Sequence, residues 1–190
     1  GVTQVRDSNG NLLQRVSTSP DPLDIYAQCQ VELGTVKSAD AQTDNYYRLF
    51  YPRDYDPSKK YPLIVYVYGG PHSQMVTNSW LGNVRMWEML MAQKGYFVYV
   101  QDNRGTQNRG AAFEKAINRA CGKAESADQM AGINSLLERF PSIDRSRIGV
   151  HGWRYGGFMT LTLACDTPGF FKVAVAGGPV IDWKWYEVMY

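Results

Sequence analysis

Histidine and cysteine are both scarce in this 190-residue chain, with two of the first and three of the second. Cys29, Cys121 and Cys165 lie far apart, show no C-x-x-C spacing and are odd in number, so neither a disulfide framework nor a zinc site is signalled. Free, partly buried thiols are the expectation. The chain has no run of about 18 apolar residues and no basic, apolar leader at Gly1, so the sequence displays no membrane span or export signal. Because Gly1 is not an initiator methionine, the natural N-terminus is expected to lie upstream. Neither sign of charge is in excess: twenty basic against eighteen acidic residues give +2, and the basic ones are scattered. That balance points away from nucleic acid and from membrane surfaces. Repeats and low-complexity segments are also missing.

What is present suits one compact domain, since 44% hydrophobic and 20% charged residues are ordinary for a globular chain with a sizeable core. Residues 1–16 read as a hairpin with its turn at Asp7-Ser8-Asn9-Gly10-Asn11, and Ser17 to Asp24, carrying Pro20 and Pro22, as a linker entering a short helical turn. The β-rich runs Gln28 to Val36 and Asn45 to Tyr51 suit an antiparallel edge. Four apolar blocks follow: Tyr61 to Tyr68, Tyr96 to Val100, Arg147 to Val150 and Val173 to Ala176. Helical patterns separate them, which argues an α/β sheet with parallel strands at its centre. Trp80, Val84, Trp87 and Met91 form one expected core stripe, stopped by Gly95. Ser126 and Gln129 read as a capping box ahead of a second stripe, Met130, Ile133, Leu137 and Phe140. A third helix is expected over Tyr155 to Cys165.

The stretch His151-Gly152-Trp153-Arg154-Tyr155-Gly156-Gly157 lies between a strand-like run and a helical one. It has the frame of the nucleophile elbow G-x-S-x-G, in which glycines permit a turn sharp enough to lift the central side chain off the sheet. Gly152 and Gly156 are in register, but the centre is Arg154, a permanently protonated group with donors only. It cannot attack a carbonyl. A serine-type triad in this frame has its histidine after the nucleophile, and no histidine follows residue 154. His151, at a strand end, reads as a buried, hydrogen-bonded imidazole, and His72 as structural or solvent-facing.

In open α/β sheets ligands bind at the carboxyl ends of parallel strands, which brings three loops to one crevice: Tyr68 to Gln74, Gln101 to Gly110 and His151 to Gly157. Tyr68-Gly69-Gly70-Pro71 could aim a phenol at a developing oxyanion. Asp102-Asn103-Arg104-Gly105-Thr106 and Asn108-Arg109-Gly110 have glycines and arginines but neither the G-x-G-x-x-G order nor a Walker lysine, so a loop pinned by arginines is preferred to a phosphate cradle. Gly178 to Tyr190 is unusually aromatic, with Trp183, Tyr186 and Tyr190 at helical spacing. That segment reads either as core packing or as an apolar pocket sized for a small ring such as proline.

Lys59-Lys60-Tyr61-Pro62, Val67-Tyr68-Gly69-Gly70-Pro71, Asn103-Arg104-Gly105, Gly152-Trp153-Arg154-Tyr155-Gly156-Gly157 and Val180 to Tyr190 occur in that order. Together they resemble the dipeptidyl peptidase IV group of the prolyl oligopeptidase family of serine peptidases, and Ala176 to Trp183 looks like its bacterial members. The resemblance runs from Gln30 to Tyr190. It implies the N-terminal portion of an α/β-hydrolase domain over 29–190, a mostly parallel sheet flanked by helices, with 1–28 as the end of a β-propeller and its linker. It further implies release of N-terminal dipeptides with proline or alanine second, through an acyl-enzyme, without metal or cofactor. By position, Tyr68 matches the oxyanion-hole tyrosine and the Tyr155 N–H the second donor. Tyr155, Val180, Trp183, Tyr186 and Tyr190 match the pocket for the penultimate proline, and Arg154 stands where serine is expected.

The same resemblance implies peptide substrates, a propeller in the same parent chain, a homodimeric parent and a periplasmic, cell-surface or secreted location. The departures are the arginine, an acid and histidine expected beyond residue 190, and a propeller not contained here. Inactivity of this polypeptide as written is therefore expected. The alternative is a pseudo-peptidase that binds peptides or a protein partner without cleaving them. A small-molecule esterase is compatible with the fold but leaves the aromatic segment unexplained.

Overall fold

The structure, a computed structural model, describes residues 1–21, 29–79 and 86–186. Strands β1 (Val2–Arg6) and β2 (Leu12–Thr18) pair antiparallel as a two-stranded sheet of their own, with nearly every residue exposed. The turn between them is the expected one, with Gly10 at positive φ and Asp7 accepting the Asn9 and Asn11 N–H groups at 2.9 and 2.8 Å. The helical turn expected near Asp24 lies outside the described residues.

Six strands make the main sheet: β3 (Val31–Lys37), β4 (Asp44–Phe50), β5 (Tyr61–Tyr66), β6 (Phe97–Gln101), β7 (Ile143–Trp153) and β8 (Val173–Gly177), in the order β3-β4-β6-β5-β7-β8. β3 and β4, and β4 and β6, pair antiparallel; β6, β5, β7 and β8 are mutually parallel. The expected antiparallel edge and parallel centre are both present. Successive side chains of a strand face opposite ways, and here they feed two cores. Leu63, Val65 and Val67 with Phe97 and Tyr99 face the helices α3 (Lys123–Arg139) and α4 (Tyr155–Asp166). Tyr66, Val98 and Val100 face the other way, with Phe50 and with Ala92 of α1 (Met86–Gln93). A short helix α2 (Ala111–Glu114) follows the β6 loop.

Two helical expectations are corrected. In α1 the fully buried positions are Glu88 and Ala92 and Met91 packs against their cluster as expected, whereas Trp87 remains 38% exposed. The small Ala92 lets the helix settle on Phe50 and Val98, and Glu88 turns toward the buried charge of Arg48; Trp80 and Val84 lie outside the described residues. The second helix begins three residues earlier than Ser126. Its box is closed by Glu125, which accepts the Gly122 N–H at 2.9 Å, while Ser126 and Gln129 lie within the helix and are buried. Ile133 and Leu137 are core as expected.

The sheet edge is tied to α3 by one polar cluster. Glu32 of β3 receives both Arg139 guanidinium nitrogens at 2.6 Å and the hydroxyls of Tyr47 and Tyr51 at 2.5 and 2.6 Å. These donors hold its carboxyl down at about 2, chiefly through Arg139.

Candidate active site

The glycine frame around Arg154 does form a tight strand-to-helix turn. β7 ends at Trp153, α4 starts at Tyr155, and Arg154 between them has φ 57° and ψ −113°, a conformation that L side chains seldom adopt. Backbone contacts hold it: the Arg154 N–H donates to Gly177 O at 2.9 Å, and Arg154 O accepts from Phe158 N at 3.0 Å. Gly152 and Gly156 have no alternative residue, because a Cβ on either would run into the Val67 carbonyl oxygen at the end of β5. Arg154 is thus lifted from the sheet and exposed, with Nη2 3.4 Å from the Tyr186 hydroxyl.

Around that turn the expected site residues come together in part. The Tyr68 ring lies 6.4 Å from that of Tyr155, centroid to centroid. Tyr155 packs on Phe158 and Trp183 at 5.4 and 5.5 Å, and Trp183 meets Tyr186 edge-on at 5.8 Å. Val180 is half-buried in the loop between β8 and the short 3-10 turn Trp183–Trp185. Tyr190 lies outside the described residues. As the first residue of α4, Tyr155 directs its N–H out of the helix's N-terminal end, beside the raised Arg154 side chain. A cavity of about 340 Å³ bounded by Pro71, His72, Lys115, Arg119 and Cys121 flanks the Tyr68 loop.

Neither histidine joins this group. His72 is exposed at φ 54°. His151 is half-buried rather than fully buried. Its Nδ1 lies 3.1 Å from Val175 O, and its ring meets those of Tyr66 and Trp87 tilted, at centroid distances of 5.7 and 5.4 Å. These neighbours belong to the α1 side of the sheet, where an apolar cavity of about 620 Å³ is lined by Ile64, Trp87, Met91, Val173 and Val175. Tyr155 is on the α3 and α4 side.

The loop after β6 is pinned by arginines. Arg104 bonds Asp128 through Nε and Nη2, at 3.0 and 2.8 Å, and reaches Asp40; Arg109 lies over the rings of Tyr46 and Phe113. Three buried polar residues have roles that their motifs do not give. Glu125 accepts the Tyr155 hydroxyl at 2.6 Å, and burial raises its carboxyl above the usual range. Asp102 accepts the Met75 and Val76 N–H groups at 2.9 and 2.8 Å, and burial pushes it up to about 6. Gln129 donates to Asn103 Oδ1 at 2.8 Å. The signal for Glu125 and Gln129 was polar residues on the side of a helix that also carries Ile133 and Leu137.

A model of the prolyl oligopeptidase family matches residues 83–189. The chain belongs to that family. Over its whole length it is 49% identical, at a TM-score of 0.91, to a solved Bacteroides ovatus protein assigned as a dipeptidyl aminopeptidase IV, and covers 27% of that protein. It is 34% identical to the Porphyromonas gingivalis dipeptidyl peptidase 4, at a TM-score of 0.84 and again 27% of that chain. Human dipeptidyl peptidase 8 is 41% identical over 145 residues, 76% of this chain and 16% of the human protein. The strand order, elbow and neighbours together give an α/β-hydrolase fold of the dipeptidyl peptidase IV type. The chain spans roughly a quarter or less of the relatives it matches.

Proposed function

We propose that this chain is the elbow-bearing part of a serine dipeptidyl peptidase acting on peptides with proline or alanine second, and that Arg154 leaves it unable to cleave them. The observation that carries the reading is the elbow itself: a turn at φ 57°, enforced by Gly152 and Gly156, beside Tyr68 and the Tyr155, Trp183 and Tyr186 rings. With serine at 154, its hydroxyl would stand over the turn. The Tyr68 hydroxyl and Tyr155 N–H would receive the oxyanion, and Tyr155, Val180, Trp183, Tyr186 and Tyr190 the penultimate proline. The base and its orienting acid would come from outside residues 1–190. Loss of such a nucleophile alone costs on the order of a millionfold in kcat. The guanidinium also reaches the Tyr186 hydroxyl, so it occupies space the substrate would need. Residues 1–28 are read as the end of a propeller and its linker, supported by a hairpin that forms its own sheet.

The aromatic group of Tyr155, Trp183 and Tyr186 beside Arg154 also fits the second reading, binding without cleavage. Chromophore release from a Gly-Pro anilide by the full-length protein, compared as Arg154 and as Arg154→Ser, separates the two. Turnover by the Ser form alone supports the peptidase reading. Turnover by neither form, with retained binding of a proline dipeptide, supports the pseudo-peptidase.

A further inference from the structure

Tyr68 is useful as an oxyanion donor only if the loop that follows it is held still, and two consecutive residues at the end of β6 grip that loop at both ends. At the near end, Asn103 Nδ2 donates to Gly69 O at 3.0 Å and to Arg104 O at 2.7 Å. Gly69 is at φ +72°, and a Cβ there would stand 2.7 Å from Asn103 Oδ1, so the backbone approaches the amide as only glycine allows. At the far end Asp102 takes the Met75 and Val76 N–H groups. Between the ends, Ser73 Oγ donates to Gly70 O at 2.5 Å and Ser73 O accepts from Gln107 N at 3.1 Å.

The amide of Asn103 is itself oriented. Gln129 Nε2, from α3, donates to Asn103 Oδ1 at 2.8 Å and to Gln101 O at 3.0 Å, and Asn103 and Gln129 are both fully buried. A buried amide whose oxygen is already claimed by a donor must present its NH2 to Gly69 O. Aspartate has the same shape but would set a second acceptor against that carbonyl.

We infer that Asn103, oriented by Gln129, is a positioning residue that fixes the Tyr68 loop for oxyanion stabilisation. This rests on reading Tyr68 as the oxyanion donor. Asn103 touches no reacting atom; it acts on the carbonyl one residue beyond Tyr68, so its loss is felt in the transition state rather than in substrate binding.

The test compares Asn103→Asp and Gln129→Leu in full-length protein carrying Arg154→Ser, with Tyr68→Phe as the reference. Asn103→Asp is expected to lower kcat by about a hundredfold, approaching the loss of an oxyanion donor, with KM within twofold. Gln129→Leu, which leaves the Asn103 amide in place but unoriented, is expected to lose about tenfold, and it carries the test if the aspartate variant does not fold. Amide hydrogen exchange at residues 69–76 is read in the same variants and does not depend on turnover. It should quicken at least tenfold there while β5 and β7 stay protected. Unchanged kcat in both variants while Tyr68→Phe is impaired overturns the positioning role alone. Unchanged kcat in Tyr68→Phe overturns the underlying reading of Tyr68. Unchanged exchange in 69–76 overturns the clamp whether or not any form turns over.

Discussion

Tyr155→Phe removes one oxygen from a ring that stays packed on Phe158 and Trp183, and its cost should depend on pH in a calculable direction. The lost hydroxyl donates to Glu125 at 2.6 Å, and the carboxyl is fully buried with the Gly122 N–H as its other donor. At pH 8 the variant must keep a buried carboxylate on one donor fewer, and a hydrogen bond to a charged group contributes about 1.5–3 kcal/mol. As pH falls the group has another course, since it can take up a proton. Burial already raises its folded-state value above the unfolded one, and removing the phenol raises it further. A raised carboxyl means that the folded state binds the proton more tightly than the unfolded chain. Stability is therefore present at low pH and lost as pH rises through the folded value. We expect a destabilisation of about 0.5 kcal/mol at pH 5 that grows to about 2 kcal/mol at pH 8. Urea unfolding of both forms at pH 5, 6, 7 and 8 measures it. A difference that does not change with pH, or that stays below about 0.5 kcal/mol throughout, would refute the account of Glu125 as a charge held by that phenol.

Gly156→Ala places a methyl group against the Val67 carbonyl and 3.1 Å from Tyr68 Cα, so it should lose about 3 kcal/mol or fail to fold, as thermal melting would report. Glu32→Gln should cost about 1–2 kcal/mol at pH 7 after allowance for solvent screening of this half-exposed cluster. Because the folded value of Glu32 is lowered to about 2, the native chain loses that contribution as pH falls from the ordinary carboxylate range toward 2, and the two forms should converge there in acid titrations followed by circular dichroism. Asp128→Asn should cost about 3 kcal/mol in denaturant unfolding, because it strips a fully buried carboxylate from the Arg104 guanidinium and from the Ala39 and Arg104 N–H groups.

The parallel centre was legible because buried strands are written as apolar blocks: Leu63 to Val67 and Phe97 to Val100 have no other plausible use. The elbow was legible because its glycines are forced by the approach of Val67 O, a requirement that leaves the same spacing wherever the turn occurs. Other features did not show in periodicity. α1 presents Ala92 and Glu88 inward because a small residue and a charge partner for Arg48 decided its rotation; Met91 still reaches that core, but Trp87 does not. Ser126 resembled a cap because capping boxes are defined by residue type, whereas the actual cap uses Glu125 on a glycine N–H. Asp102 and Asn103 fit an arginine-pinned loop and Gln129 a capping box by residue type; their burial follows from strands and a helix far apart in sequence.

Because β5 lies between β6 and β7, the middle of the sheet joins segments that are distant along the chain: Tyr61 opposes Ile143 and Tyr66 opposes His151. At a synthesis rate of about 5–20 residues per second, β7 leaves the ribosome about 4–16 s after β5. During that interval the β5 edge that will receive β7 is open, and non-local pairing of this kind is slow in any case. Val67, whose carbonyl the elbow glycines close against, is synthesised before either glycine. The turn at Arg154 and the strand that closes the β5 edge therefore arrive together in the same late segment, and a nascent chain that stalls or is clipped before residue 150 lacks both.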